Sequence, residues 1–502
     1  MSLAIAYSRG RSGIDAPLVT VEVHVTNGLP SLNIVGLPET AVKESKDRVR
    51  GAILNSNFQF PAQRITINLA PADLPKEGGR FDLAIALGIL AASNQIPKTA
   101  LREYECIGEL SLGGELRAIS GVLPIAIQAK QAGRPLILPL ANASEAMLVK
   151  DVLVIPANHL LDVCAHLSGQ RVIQSEMQTI TPQGDEFDID FSDVQGHFHV
   201  KRAFEIAAAG MHNLIMLGPP GTGKSMLACR LPTILPLLTE QQAQESAAIA
   251  SISHQGLDVN NWLKPPYRAP HHTASAAALV GGGSNPKPGE ISLAHWGTLF
   301  LDELPEFDRK VLEVLREPLE TGHITISRAS RQVNFPAKFQ LIAAMNPCPC
   351  GYLGDASGRC HCTSEQVARY RAKVSGPLLD RIDMHLEVPR IAHEILRKGS
   401  PGGEESSATI RMRVVAARHI ALERCGKMNA LLSAVEVKRY CELSEAGHQL
   451  IAQAMERFGL SNRAYHRILK LALTIADLAN AKHIEIPHLS EAIGYRKLDR
   501  TR

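Results

Sequence analysis

Asn213-Leu214-Ile215-Met216-Leu217-Gly218-Pro219-Pro220-Gly221-Thr222-Gly223-Lys224-Ser225-Met226-Leu227-Ala228-Cys229-Arg230-Leu231 joins an apolar strand pattern to a helix pattern through a glycine-rich turn. The first five residues read as a buried strand and the last six as a helix. Between them, Gly218 to Ser225 satisfies G-x-x-x-x-G-K-[ST] in full. Glycines there let backbone N–H groups converge on phosphate oxygens at a helix N-terminus. Lys224 neutralises the β/γ-phosphate charge, and the Ser225 hydroxyl is a ligand for Mg²⁺. The stretch therefore implies nucleoside-triphosphate binding, with ATP and Mg²⁺ as the expected pair.

Downstream, Thr298-Leu299-Phe300-Leu301 reads as a second strand that runs straight into Asp302-Glu303. Two acids at a strand's C-terminal end, after a phosphate-binding turn, read as a Walker B element. Asp302 would support the Mg²⁺ and Glu303 would be the general base that polarises the attacking water. A third strand, Phe339 to Met345, ends at Asn346. That residue is placed either to orient the lytic water or to cap the turn before Pro347.

A chain of 502 residues exceeds one hydrophobic core. Residues 1–169 alternate β-branched runs with helical stretches and read as an α/β domain. Acids gather in 170–195, among them Asp185, Glu186, Asp188, Asp190 and Asp193, as expected of an exposed linker. The nucleotide-binding domain follows over 196–390, then a Gly/Ser-rich loop over 391–408 and an all-helical region over 409–502. The net charge is +3, yet residues 411–502 hold sixteen Lys/Arg against nine Asp/Glu, so the basic excess sits at the C-terminal end. A solvated helix face is the commoner cause of such a bias, and nucleic-acid binding is the other. No signal-like start is present, and the longest apolar runs, such as Leu83 to Ala92, are too short to span a bilayer, so a soluble, cytoplasmic protein without a membrane partner is expected. The nine cysteines do not suggest a secreted disulfide scaffold. Cys106, Cys164, Cys229, Cys425 and Cys441 stand singly.

Further marks accumulate around the motif: Pro270-His271-His272-Thr273 with Gly281-Gly282-Gly283, Gly289-Glu290-Ile291-Ser292-Leu293-Ala294-His295, Leu301-Asp302-Glu303-Leu304-Pro305-Glu306-Phe307, and Ser375-Gly376-Pro377-Leu378-Leu379-Asp380-Arg381-Ile382-Asp383. Over nearly its whole length the chain resembles the AAA+ ATPases and, within them, the magnesium-chelatase-related helicase group of ComM and YifB-like proteins. The resemblance implies a P-loop AAA+ core with a central parallel sheet, a C-terminal helical lid, and a homo-hexameric ring with ATP sites at subunit interfaces. It implies that Arg381 is the arginine finger, whose planar guanidinium fits the transition-state oxygens. Arg463 resembles the sensor-2 arginine of the lid. Val194-Gln195-Gly196 resembles the segment beside the adenine.

Residues Gly322 to Phe335 alternate on both sides of a short polar turn and read as a β-hairpin. It resembles the pore hairpin of helicase-type AAA+ proteins, which makes Arg328 and Arg331 the leading DNA contacts. The Gly/Pro-rich segment from 264 to 288, with Lys287 near its end, resembles the second, helix-inserted loop of that group. Contacts from such loops go mainly to phosphates, so the implied partner is single-stranded or branched DNA, bound without sequence preference and in a salt-sensitive way. Two C-x-C pairs, Cys348/Cys350 and Cys360/Cys362, can supply four thiolates to one tetrahedral Zn²⁺. Their spacing is tighter than the common knuckle, and His361 can replace a thiolate.

Pro75-Lys76-Glu77-Gly78-Gly79-Arg80-Phe81-Asp82 resembles the active-site segment of the Lon protease domain, with Arg80 where the nucleophilic Ser would stand. Ser120-Gly121-Val122-Leu123 falls where that pattern carries its Lys, and Leu123 has no amine. With neither hydroxyl nor amine, the nucleophile and base cannot pair. A role in subunit packing or DNA guidance is preferred, with Lys43, Lys46, Arg48 and Arg50 as candidates for the latter, although a solvated helix face is the commoner reading of such a set. The resemblance implies an ATP-dependent motor for branch migration of DNA during recombination and natural transformation, working beside recombination proteins. A magnesium-chelatase-like ATPase that remodels a protein partner is the alternative. A Lon-like protease is a second rival, which Arg80 and Leu123 oppose.

Overall fold

Val19, Val21, Val23 and Val25 alternate with Thr20, Glu22 and His24, and all four valines are buried on one face of their strand. The same period governs the first of two units in the computed structural model, which describes residues 2–37, 39–174, 187–283, 286–328, 331–355, 358–391 and 403–496. One unit is Met1–Gln183 with Gln244–Trp262, and the other is Gly184–Ala243 with Leu263–Arg502.

The first unit contains β1 (Ser2–Arg9), β2 (Leu18–Thr26), β3 (Ser31–Val35), β4 (Arg64–Ala70), β5 (Glu105–Cys106), β6 (Glu109–Leu110), β7 (Leu116–Arg117), β8 (Leu136–Pro139) and β9 (Val154–Ala157). Seven of these form one mixed sheet in the order β3-β4-β2-β1-β5-β8-β9. The helix Asp82–Ala92 packs on β1 and β2, and all of its residues are buried, so it is apolar all round instead of amphipathic. Gly88 permits that approach, since a Cβ there would stand 2.5 Å from Val23 Cγ2. Beneath the sheet, Arg9 donates through Nε and Nη2 to the two Glu105 oxygens, each at 2.7 Å, a fork pair that makes burial of both charges tolerable.

Residues 244–262 belong to this first unit although they follow the P-loop in sequence. Ala247 and Ala248 share an apolar cluster with Val122, Ile125, Ala126 and Ala143, and Gly121 N donates to Ser251 O at 3.0 Å. The domain boundaries expected from sequence do not contain this excursion. A short run of alanines carries no marker of which core it will join.

The second unit contains β10 (Leu214–Leu217), β11 (Tyr267–Arg268), β12 (Gly281–Gly282), β13 (Lys287–Pro288), β14 (Thr298–Leu301), β15 (His323–Arg328), β16 (Arg331–Pro336), β17 (Gln340–Met345) and β18 (Met384–Glu387). Five form a parallel sheet in the order β11-β14-β17-β10-β18. Every residue of β10, β14 and β17 is buried, the continuous apolar pattern of strands covered on both faces. The topology sets β17 between β10 and β14, so the C-terminal ends of these three strands lie side by side, where open α/β sheets bind ligands. From Ser407 onward the described regular structure is helical. Val414 from Ser407–Cys425 and Ile468, Leu471 and Ile475 from Asn462–Leu478 enter the same core as Leu214, Met216 and Met384.

Part of the stretch read as linker is built into this unit. Phe191 is fully buried and meets Phe204 edge to face at 6.0 Å, Asp190 accepts from the Ser407 amide at 3.0 Å, and Asp193 pairs with Arg230 at 2.8 Å. The acids there cap and pair instead of solvating a tether. Asp185 and Glu186 lie outside the described residues, as does most of the Gly/Ser-rich loop. In the described end of that loop, Glu404 accepts from the Gly196 amide at 2.7 Å and pairs with Lys201.

Candidate functional site

The chain turns from β10 into the helix Lys224–Ile234 through Gly218 to Gly223. Gly221 and Gly223 adopt φ of 77° and 83°, the left-handed conformation that only glycine takes without strain. The Lys224 ammonium donates to the carbonyls of Gly218 at 2.7 Å and Pro219 at 2.9 Å, and to Asn346 Oδ1 at 3.3 Å. Burial lowers its pKa, against the pull of Asp302 and Glu303. A desolvated cation held only by neutral acceptors is suited to receive phosphate oxygens.

Ser225 Oγ donates to Asp302 Oδ2 at 2.5 Å, which links the helix start to the end of β14. These hydroxyl and carboxylate oxygens suit a hard cation, so Ser225 and Asp302 fit the coordination of Mg²⁺. Glu303 follows at φ 50° and ψ 46°, a left-handed backbone that costs about 1–3 kcal/mol in a residue with a side chain. Its carboxylate is half-exposed and open to water, and Oε2 stands 3.1 Å from His272 Nδ1. His271 stacks beside His272 with ring centroids 4.1 Å apart. His272 is therefore a member of the site that the sequence reading quoted but gave no role. The only available signal was its position just after a strand, in Pro270-His271-His272-Thr273.

Hydrogen bonds thus pair Lys224 with Asn346 and Ser225 with Asp302, and Glu303 continues from Asp302, whose Oδ1 accepts its amide at 2.8 Å. Arg381 and Arg463 stand apart from this set. Both donate to one oxygen, Glu320 Oε1, at 2.8 Å and 2.6 Å. Arg381 is 6% exposed and also donates to the Pro377 carbonyl at 2.7 Å. Nearby, Asp383 pairs with Arg467 and accepts from the Asn213 amide at 2.9 Å at the foot of β10. Burial pushes the Asp383 carboxyl up, but Arg467, His212 and that amide together hold it far below the usual range.

The hairpin exists as β15 and β16, with Arg328 and Arg331 paired across its last rung. The turn residues 329–330 and the side chains of Arg328 and Arg331 lie outside the described part. Lys287 lies in β13, paired in register with Gly282. The segment read as a helix-inserted loop includes the helix Ala276–Val280.

The four clustered cysteines converge after β17. Cys348 Sγ lies 3.3 Å from Cys350 Sγ and 3.8 Å from Cys360 Sγ, Cys350 and Cys360 are 3.7 Å apart, and all four sulfurs fall within 4.8 Å of one another. With Zn–S of about 2.3 Å, tetrahedral thiolates stand about 3.8 Å apart, so the set fits one zinc. His361 is not a member of the group. At Gly351, a Cβ would stand 2.8 Å from Pro220 Cδ, so the cysteine loop rests on the phosphate-binding turn.

In the first unit, the two segments compared with the Lon active site do meet. Arg80 is buried and its Nη2 lies 3.5 Å from the Ser120 carbonyl, while Leu123 is buried in the helix Val122–Gln131. Neither side chain offers a nucleophile. Of the cations on the helix Thr40–Asn55, Arg48 is turned to Asp82 at 2.8 Å and Arg50 lies over Phe60, 5.5 Å from its centroid. The side chain of Lys43 is not described. Among the described residues, no helix is long and apolar enough to cross a membrane.

A parallel sheet with the asparagine strand between those that end in the glycine turn and in Asp302-Glu303, bearing this donor set, is compatible with a P-loop domain of the AAA+ arrangement. Residues 190–396 match the magnesium chelatase, subunit ChlI family, residues 21–142 a second ChlI model, and residues 404–496 the ChlI C-terminal family. The competence protein ComM of Haemophilus influenzae is 51% identical over 100% of this chain and 98% of its own length, and YifB of Escherichia coli is 48% identical over the same shares. The magnesium-chelatase 38 kDa subunit of Cereibacter sphaeroides is 25% identical over 31% of this chain and 52% of its own length. The chain belongs to the ComM/YifB family of magnesium-chelatase-related proteins.

Proposed function

We propose that this protein is an ATPase that moves DNA, a hexameric branch-migration motor that serves recombination and, as the name of the Haemophilus relative suggests, natural transformation. The observation that carries the reading is the insertion of the hairpin β15–β16 between β14, which delivers Glu303, and β17, which delivers Asn346. A change at the γ-phosphate reaches both ends of the segment that bears Arg328 and Arg331. Contacts at its tip would be with phosphates, hence independent of sequence and sensitive to salt. Lys287 is read as a further DNA contact.

In this mechanism Lys224 and the amides of Gly221 and Gly223 hold the β- and γ-phosphates. Ser225 and Asp302 hold Mg²⁺, which neutralises phosphate charge when bound. Glu303 takes the proton of the attacking water, and Asn346 orients that water against the γ-phosphate. Arg381 and Arg463 are tied to Glu320 and not to the chain's own P-loop, which supports their acting on the nucleotide of a neighbouring copy. Zinc in the Cys348, Cys350, Cys360 and Cys362 cluster would stiffen the loop that rests on Pro220. The first unit is assigned as a Lon-like fold without peptidase chemistry that packs the ring or guides DNA, and the C-terminal helices as the lid.

A chelatase-like remodelling ATPase is the second reading, favoured by the three magnesium-chelatase family matches. Steady-state ATPase without DNA and with single strands, duplex and a four-way junction, at two salt concentrations, separates the two. Salt-sensitive stimulation, largest on branched DNA, is expected. Indifference to every DNA would transfer the assignment to the remodelling reading, and cleavage of casein would remove both.

A further inference from the structure

Glu320 belongs to the short helix Pro318–Thr321, immediately before the hairpin opens at His323. Gly322, at φ 71°, ends that helix, and its carbonyl accepts from Ala337 N at 2.8 Å, which closes the hairpin's base. The position of Glu320 is therefore fixed to the base of the segment assigned to DNA.

Its carboxylate gathers two arginines from distant parts of the second unit. Arg381 comes from the turn after the helix Gly376–Leu379, and Arg463 from the first turn of Asn462–Leu478. Both reach the same oxygen, so loss of that one carboxylate breaks both ion pairs together and leaves Arg381 only its bond to the Pro377 carbonyl. The Arg381 side chain is 7% exposed, and its Nε is buried without a hydrogen-bond partner, so its donors are only partly satisfied in this arrangement. A buried guanidinium left short of acceptors fits a resting position better than a final one. The Arg463 pair is half-exposed and correspondingly weak, so an incoming triphosphate can displace it. Burial raises the Glu320 carboxyl, but Arg381, Arg463 and Arg467 outweigh it and keep the group ionised.

We propose that Glu320 is a latch that holds Arg381 and Arg463 until the triphosphate of a neighbouring copy draws them away, and that their release frees the base of the hairpin in step with ATP binding. This rests on the reading of the two arginines as acting on a neighbour's nucleotide. The chemistry is an exchange of ion-pair partners: one carboxylate gives up two guanidinium groups to γ-phosphate oxygens, which take them as charge-assisted, bidentate acceptors. Glu320 is thus a positioning residue and does not touch the reacting atoms.

Steady-state ATPase of the full chain, with and without single-stranded DNA, tests the latch in Glu320→Gln, Glu320→Asp, Arg381→Ala and the double variant Glu320→Gln/Arg381→Ala. Glu320→Gln should raise DNA-independent kcat about fivefold, about the worth of the half-exposed Arg463 pair alone, and shrink the stimulation by DNA. Glu320→Asp, which keeps the charge on a shorter arm, should fall between it and the parent. The double variant should be as inactive as Arg381→Ala. Unchanged turnover and DNA response in Glu320→Gln would overturn the latch, as would a fall in kcat or elevated turnover that survives in the double variant. Full turnover in Arg381→Ala alone is a different pattern: it would remove the reading of the arginines, and the latch with it.

Discussion

Each unit carries a glycine turn that feeds a helix beside a sheet, yet the two turns gather different groups. In the first unit, Gly78 and Gly79 lead to Arg80 and the helix Asp82–Ala92, and the buried Arg80 guanidinium lies against the Ser120 carbonyl. In the second, Gly218 to Gly223 leads to Lys224 and Ser225, and the neighbouring strands add Asp302, Glu303 and Asn346. The backbone device is shared. What differs is the set of groups brought to each turn: the parallel order β14-β17-β10 sets Asp302, Glu303 and Asn346 beside the second, while Glu109 of β6 and Asp82 lie beside the first.

The largest test of this contrast is Glu303→Gln. It should keep ATP binding and lose about 10²–10⁴-fold in turnover, as for removal of a general base. Single-turnover hydrolysis that persists would move the base elsewhere. Next is Asp383→Ala, which strands Arg467 and His212 around a buried site and should destabilise the second unit by about 3–5 kcal/mol, read by urea unfolding. A loss comparable to a surface substitution would show that this charge cluster does not hold the foot of β10.

The two units also bury aspartates with opposite titration. Burial pushes Asp82 up to about 6, since Arg48 and the Leu110 amide offset it only in part, while Asp383 is held far below its ordinary value. For Asp82 the folded pKa exceeds the unfolded one, so its contribution to stability falls as pH rises from about 4 to 6. For Asp383 the contribution is present above about pH 4 and lost as pH falls below it. Hydrogen exchange across this range should therefore show protection in the first unit declining from pH 4 to 6, and Asp82→Asn should flatten that decline. An unaltered slope would place the titration on another group.

His272→Ala should lower kcat about tenfold with little change in ATP affinity, as expected for a partner that only orients the base. Its equality with the parent would reduce the contact with Glu303 to packing. The smallest effect is expected from Arg80→Ser, which introduces a hydroxyl but leaves Leu123 without an amine. Casein should remain intact and ATPase unchanged, and cleavage would erase the contrast between the two turns.

The nucleotide half of the site was legible in sequence because its residues sit at strand ends, where an apolar run stops at a polar residue: Lys224 and Ser225 after β10, Asp302 and Glu303 after β14, Asn346 after β17. The cysteine cluster and the hairpin were legible for the same local reason. Glu320 was not, since its partners are 61 and 143 positions away and no periodicity links them. The packing of residues 244–262 with the first unit, and the burial of Phe191 in a stretch rich in acids, were equally hidden. Both depend on which core lies within reach, a property of the folded chain and not of any window of it.

The most direct measurement mixes two variants, each expected to be inactive alone. Lys224→Ala removes the phosphate-binding cation but keeps Arg381, and Arg381→Ala does the reverse. If the arginines of one copy complete the site of another, mixing the two at equal concentration should restore a substantial fraction of DNA-stimulated ATPase, through interfaces that pair an intact P-loop with an intact arginine. Turnover that stays at the level of the separate variants at every ratio would contradict a site shared between copies.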